Sequence, residues 1–444
     1  MTQPTMEWSK LFNPSRFGVR EEGQESCTRT PFHKDHDRVV FSSSFRRLER
    51  KTQVHPLSDN DHIHTRLTHS LAVSCVGRSL GALVGERLGE QLPDHVTSAD
   101  MGAIVQAACL AHDIGNPPFG HTGEDAIRHW FRDSKNSEYL KGLSPEQIRD
   151  FQIFEGNAQG LRILTQLEQH RFDGGMRLTY ATLGAFLKYP WHSGYQDPLK
   201  GEKFGVYQAE MAFLHEIAEA LGLIKIDENR YCRHPLVYLM EAADDICYAI
   251  IDLEDGVEMN LLQYSEVESL LLAVIGDQVP PSYFDTTEED PARRRLAILR
   301  GKAIDIMVNA VADSFMANQE ALLLGKLEGD LISLSDEKVS QCIAQAKLIA
   351  QQKIFKDPKK ALIEIGAYTT LGSLLGAFLS AADEVLEGGE VSYKSQRILE
   401  LIGRHAPKPG WDKYRAYLRV VDYIAGMTDG YAVELAQAIR GLRH

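Results

Sequence analysis

The sequence predicts an all-α protein. Three observations lead there: long stretches carry apolar residues at helical spacing, convincing alternating strands are almost absent, and Gly and Pro gather between those stretches. From about Thr65 to Leu92, the residues Leu67, Leu71, Val76, Leu80 and Leu83 recur near helical spacing with few breakers, which predicts one long helix. A second helix runs through Met101 to Ala111 and stops before Gly115, Pro117 and Pro118. The motif H-D-I-G-N-P-P-F-G-H (112–121) therefore begins at a helix end and continues into a loop. Further helices are predicted at about 157–170, 206–222, 235–255, 259–276, 292–327, 334–355, 358–387, 393–404 and 411–440. Loops are predicted near Ser134–Asp150, His192–Gly205 and Gln278–Pro291, and the last divides a catalytic region (1–276) from a carboxy-terminal helical region (277–444).

The 444 residues are 43% hydrophobic and 25% charged, values of a globular chain that buries a substantial core. A formal charge of -14 disfavours sequence-independent nucleic-acid binding, which needs many cations to neutralise phosphates. The six cysteines lie far apart with no C-x-x-C pair, which excludes a zinc ribbon and a stapled secreted framework. The start MTQPTMEWSK has no apolar run behind a basic segment, and the apolar stretch LGSLLGAFLSAADEVL is broken before the ~20 residues a membrane span needs. The expectation is a cytoplasmic protein without a membrane partner. The basic run Arg46 to Lys51 reads as a solvated face.

His112-Asp113 adjoin at a helix end, and His69 lies inside the preceding helix. Imidazole and carboxylate together suit a divalent ion held beside phosphate oxygens, where it polarises phosphorus and activates water. Such a pair alone is more often a cap or ion-pair partner, so ligands from other helices are required. In E-A-A-D-D-I-C-Y-A-I-I-D (241–252), Asp244, Tyr248 and Asp252 recur every four residues and share a helix face. Asp245 points about 100° away from that row, which makes Asp244 the candidate ligand.

With His69, His112-Asp113 and a distant Asp244, the chain resembles the HD superfamily. The segments F-R-R-L-E-R-K-T-Q-V (45–54), T-R-L-T-H-S (65–70), A-H-D-I-G-N-P-P-F-G-H-T-G-E (111–124), F-E-G-N-A-Q (154–159), L-T-Y-A-T-L-G (178–184), K-Y-P-W (188–191) and Y-L-M-E-A-A-D-D-I-C-Y (238–248) narrow this further. In that order, across roughly 30–260, they resemble the bacterial deoxyguanosinetriphosphate triphosphohydrolase family and its relatives.

The resemblance implies an HD-domain helical core that hydrolyses deoxynucleoside triphosphates, dGTP or several, to deoxynucleoside and tripolyphosphate. It implies a divalent metal on His69, His112, Asp113 and Asp244, with magnesium or manganese expected and other transition metals accepted on purification. His121 takes the place of a catalytic histidine and Glu124 of its orienting carboxylate. Phosphate contacts fall to Arg66, Asn116, Asn157, Lys188, Tyr189 and Lys203, and sugar contacts to Gln53, Val54, Tyr248 and Asp252. A homo-oligomer, tetramer or hexamer, is expected, with a nucleotide or single-stranded DNA effector that no residue locates. Other HD phosphohydrolases, such as a nucleoside-monophosphatase or nucleotide phosphodiesterase, and a weakly active nucleotide- or DNA-sensing regulator remain the alternatives. In relatives the region beyond 276 helps bind the base and the neighbouring subunits, but here it carries no catalytic motif.

Overall fold

A computed structural model describes residues 4–18, 29–53, 63–168, 175–195, 197, 200–283, 291–356 and 358–442. The all-α expectation holds: among these residues the only two strands are Lys225–Asp227 and Arg230–Tyr231, a short antiparallel pair.

The central element is Arg66–Leu88, started by Thr65, whose side chain accepts from the Thr68 backbone N–H while the Thr68 hydroxyl answers in return. It packs against Ser98–Ala111, which Thr97 and Asp100 cap in the same way. Gly77, Gly81 and Gly85 make the approach close. A Cβ at Gly77 would lie 2.4 Å from Cys109 Sγ, one at Gly81 2.8 Å from the Met101 carbonyl oxygen, and one at Gly85 2.8 Å from Ser98 Cα. This pairing is antiparallel, so the first turn of one helix, with Arg66 and His69, meets the last turn of the other, which ends at His112. Pro235–Glu258 crosses both helices and supplies Asp244.

The apolar interior forms two clusters that do not divide at residue 276. The first runs from Met6 to Ile354 and includes the three site helices. In the second, Phe119, Ala126, Ile127, Phe131 and Phe151 pack with the carboxy-terminal helices Pro358–Leu386, Tyr393–Ile402, Lys413–Ala425 and Asp429–Ile439. By length and composition, Arg66–Gln91 and Lys360–Leu386 are apolar enough to cross a membrane. The first carries Arg66 and His69, and the second fully buries Leu371, Leu374, Leu375, Phe378 and Leu379 while leaving Leu362 and Ile365 exposed.

Several element boundaries differ from the expectation. The predicted loop at 134–150 contains the 3-10 stretch Ser134–Leu140 and the start of the helix Pro145–Gln152, which Ser144 caps through the Gln147 N–H. Gly120–Arg132 is a helix that the Gly and Pro signals before it concealed. The stretch 334–355 becomes Glu337–Ile349 followed by a single π turn, Ala350–Ile354. The stretch 411–440 breaks at Gly426 and restarts where Thr428 caps Asp429–Ile439.

Arg162 joins the two clusters. Its Nε and Nη2 donate to both oxygens of Asp422 at 2.8 and 2.9 Å, and its Nη1 donates to Glu210. All three side chains are buried. Arg162→Met strands buried carboxylates and is expected to cost about 3–5 kcal/mol in urea unfolding. With the Arg162 charge matched by Asp422, burial pushes the Glu210 carboxyl up to about 7. A raised carboxyl binds its proton more readily when folded, so its stabilising contribution is present at low pH and is lost as pH rises through about 7. Glu210→Gln should remove this slope, and the Tm of the variant relative to the parent should climb between pH 5 and 8.

Candidate metal centre and substrate cavity

His69, His112 and Asp244 converge, with one ligand atom from each lying within 4.8 Å of the others. His69 Nε2 is 3.0 Å and His112 Nε2 3.5 Å from Asp244 Oδ1. The His112 Nδ1 lies 2.6 Å from the Cys109 carbonyl oxygen, which only accepts, so Nδ1 carries the proton and Nε2 presents its lone pair. Asp113 Oδ1 is 3.6 Å from His112 Nε2 and accepts from Asn116 Nδ2 at 2.6 Å, while its other oxygen pairs with Arg66. Burial acts to raise both carboxyls, but the groups beside them outweigh it. Arg66 and the histidines hold Asp113, and the histidines hold Asp244, well below the ordinary carboxylate range. Two imidazoles and the Asp244 carboxylate form a converging donor set that fits a divalent cation, while Asp113 stands beside it with its oxygens on Asn116 and Arg66. Asp245 pairs with Lys347 at 2.7 Å and lines the cavity with it, without joining the converging ligand atoms.

The site opens into a cavity of about 510 Å³, within the range of small-molecule pockets. Of the residues expected here, Gln53, Arg66, His112, Asp113, His121, Asp244 and Tyr248 line it. Asp252, on the Asp244 face, is buried with neither carboxylate oxygen hydrogen-bonded among the described residues, and Gln53 Oε1 and Arg66 Nε are also buried without partners there. Burial, with Asp255 and Asp244 nearby, pushes the Asp252 carboxyl well up. Polar atoms kept in this way cost free energy unless a ligand engages them.

The loop between Ala111 and Gly120 sets the approach to the cavity. Phe119 and Gly120 both take positive φ, 65° and 57°, and a Cβ at Gly120 would lie 2.4 Å from Arg66 Nη2. His121 follows in the first turn of Gly120–Arg132, with its Nδ1 3.0 Å from Glu124 Oε2. The His121 ring is 78% exposed and Glu124 is buried, so the histidine is free to meet solvent or substrate while its partner stays fixed. Glu124 Oε1 also accepts from the Gly156 N–H at 2.7 Å. Burial opposes the Glu124 charge, but His121, Lys203 and Arg128 win and hold its carboxyl down at about 2.

Other expected contacts are engaged elsewhere. Asn157 donates to Glu155 at 2.7 Å and Lys203 pairs with Glu155 at 2.9 Å, because the buried Glu155 charge draws the nearest donors. Lys188 sits 3.6 Å from Glu241, close enough that its charge acts on Asp244. Tyr189 is buried against Trp191. The Asn116 side chain serves Asp113. Val54 lies outside the described residues.

The sequence reading missed the far wall. Lys347, Phe355, Lys360 and Glu364 line the cavity from the carboxy-terminal region; the Lys360 ammonium stands 4.3 Å from the Phe355 ring centre, and that ring meets Tyr248 at 6.1 Å between centres. The four-residue step from Lys360 to Glu364 was the only signal. Lys51 is also misjudged by the solvated-face reading. It is 3% exposed and donates to the carbonyls of Asn116 at 2.6 Å and Ala425 at 2.7 Å. Asp429, on the last helix, accepts from the Phe119 N–H and from Thr52.

Comparison with known proteins agrees with this architecture. Residues 66–189 match the HD domain and residues 332–438 match the phosphohydrolase-associated domain. The chain is 57% identical over 438 residues to a deoxyguanosinetriphosphate triphosphohydrolase-like protein of Pseudomonas aeruginosa, covering 98% of this chain and 99% of the relative. A protein of the same description from Synechocystis is 41% identical, covering 98% and 100%. The deoxyguanosinetriphosphate triphosphohydrolase of Cronobacter sakazakii is 31% identical, covering 90% and 92%. Built on a helical HD core and matched along nearly its whole length, the chain belongs to the deoxyguanosinetriphosphate triphosphohydrolase-like family of HD-domain hydrolases.

Proposed function

We propose that the protein hydrolyses deoxynucleoside triphosphates, dGTP or several, to deoxynucleoside and tripolyphosphate with a divalent cation at His69, His112, Asp113 and Asp244. The observation that carries this reading is the convergence of His69, His112 and Asp244 within 4.8 Å at the wall of a cavity that His121 also lines. Magnesium or manganese, when bound, supplies Lewis-acid activation of phosphate oxygen and water.

The protein's own groups account for the rest. Arg66 faces the cavity beside Asp113 and offers guanidinium donors to phosphate, and Lys188 adds positive charge nearby. His121 has one nitrogen on Glu124 and the other free to move a proton at the attacked phosphorus. Burial pushes the Asp252 carboxyl well up, and its oxygens, like Gln53 Oε1, are buried without hydrogen-bond partners among the described residues and so stand ready for the 3′ hydroxyl. Tyr248, backed by Phe355, walls the sugar and disfavours an added 2′ hydroxyl.

Incubation with each of four dNTPs and four ribonucleotides, with magnesium or manganese, tests this. Ion-exchange analysis should show deoxynucleoside and intact tripolyphosphate. Pyrophosphate or orthophosphate as first product would refute the bond cleavage, and nucleotide binding with no turnover under any metal would favour a sensing role.

A further inference from the structure

Asp429 opens the last helix, Asp429–Ile439, and is 2% exposed, with each carboxylate oxygen holding a different segment of the catalytic cavity wall. Oδ1 accepts from the Phe119 backbone N–H at 2.9 Å. Oδ2 accepts from the Thr52 backbone N–H at 3.0 Å and from the Thr52 hydroxyl at 2.8 Å. Both held residues line the cavity, and so do the residues that follow them, Gln53 after Thr52 and Gly120 and His121 after Phe119. Lys51 closes the same gap beside Thr52, donating to the Asn116 and Ala425 carbonyls. Phe119 takes φ 65° and ψ 15°, a left-handed conformation that a side chain disfavours and that surrounding contacts must fix. It begins the helix Gly120–Arg132 with no side-chain cap, so the turn that aims His121 is not held by its own side chain.

We infer that Asp429 is a positioning residue for hydrolysis: by accepting from Phe119 and Thr52 at once, its carboxylate sets where His121 stands relative to Gln53 across the cavity. The inference rests on the proposed dNTP reading. Glu124 fixes the His121 ring through Nδ1, but the place from which the helix presents that ring depends on the turn at Phe119 and Gly120. An ionised carboxylate that accepts from backbone N–H groups makes strong, directional bonds, and a buried one has little room to move. Proton transfer needs the imidazole at hydrogen-bond reach of the reacting group, and a misplacement of about 1 Å costs on the order of 10²-fold in rate.

Asp429→Ala in the full chain tests this. Its kcat for dNTP hydrolysis should fall about 10–100-fold while KM stays within about threefold. Metal content should match the parent, since Asp429 is not among the converging ligand atoms. Asp429→Asn keeps a carbonyl oxygen for the Phe119 N–H and an amide that donates to the Thr52 hydroxyl, so it should recover most of the lost kcat. Thr428→Ala is the control for a merely structural role. It removes the cap that accepts from the Tyr431 N–H and lowers Tm, but it leaves the Asp429 carboxylate in place. Well below its transition, that variant should keep kcat within about twofold of the parent. Hydrogen–deuterium exchange supplies a readout that needs no turnover: the segment Phe119–His121 should exchange faster in Asp429→Ala and at the parent rate in Thr428→Ala. Parental kcat in Asp429→Ala, or an equal loss of kcat in Thr428→Ala, would overturn the assignment. A parent chain that turns over no dNTP would refute the substrate reading instead, and parental exchange in Asp429→Ala would then overturn the hold on the loop.

Discussion

Asp244→Ala is expected to lower kcat/KM for dNTP hydrolysis by at least about 10³-fold, because a catalytic cation contributes several kcal/mol and each 1.36 kcal/mol is a factor of ten. Asp244 Oδ1 lies within 3.5 Å of the Nε2 atoms of both His69 and His112, so its loss removes the one carboxylate among the described residues that meets both imidazoles at that distance. The purified variant should carry less than the parent's metal by elemental analysis. Asp245→Ala is the control: the neighbouring carboxylate pairs with Lys347, and its loss should leave metal content at the parent level. Full activity and full metal content in Asp244→Ala would remove the basis for the metal centre.

His121→Ala is expected to lower kcat by about 10²–10⁴-fold, the usual contribution of a positioned proton-transfer group. Metal content should not change, since His121 is not among the converging ligand atoms. Glu124→Gln tests the pairing from the other side. The buried carboxylate gathers His121, Lys203, Arg128 and the Gly156 N–H, so an uncharged amide there leaves cations unmatched and the imidazole loosely held. The variant should lose kcat with KM nearly constant and shift the pH–rate profile. A His121→Ala enzyme with parental kcat would place proton transfer on another group.

The convergence of His69, His112 and Asp244 was legible because these residues sit in short motifs whose residue types are themselves the chemistry. The helices that carry His69 and lead to His112 were legible from apolar spacing, their antiparallel packing was not, and the preference for Asp244 over Asp245 rested on helix geometry. Lys203 and Asn157 pair here with the buried Glu155, a partner that the sequence does not show beside a lone cation or amide. Lys51 was read as solvated because it ends a charge run, and such runs usually face water; its ammonium instead turns inward to two carbonyls remote in sequence. The far wall, with Phe355 and Lys360, escaped notice because it lies about a hundred residues beyond Asp244 and its residues carry no motif.

Lys51 and Asp429 together make the end of the chain a working part of its beginning. The strap carrying His112 and His121 is fastened at Asn116 and Phe119 to side chains that lean on, or belong to, the last two helices. A late stop codon would therefore do more than shorten the polypeptide: it would unfasten that strap while leaving every ligand written in the gene. Loss of hydrolysis in such a product would be an injury to architecture rather than to chemistry.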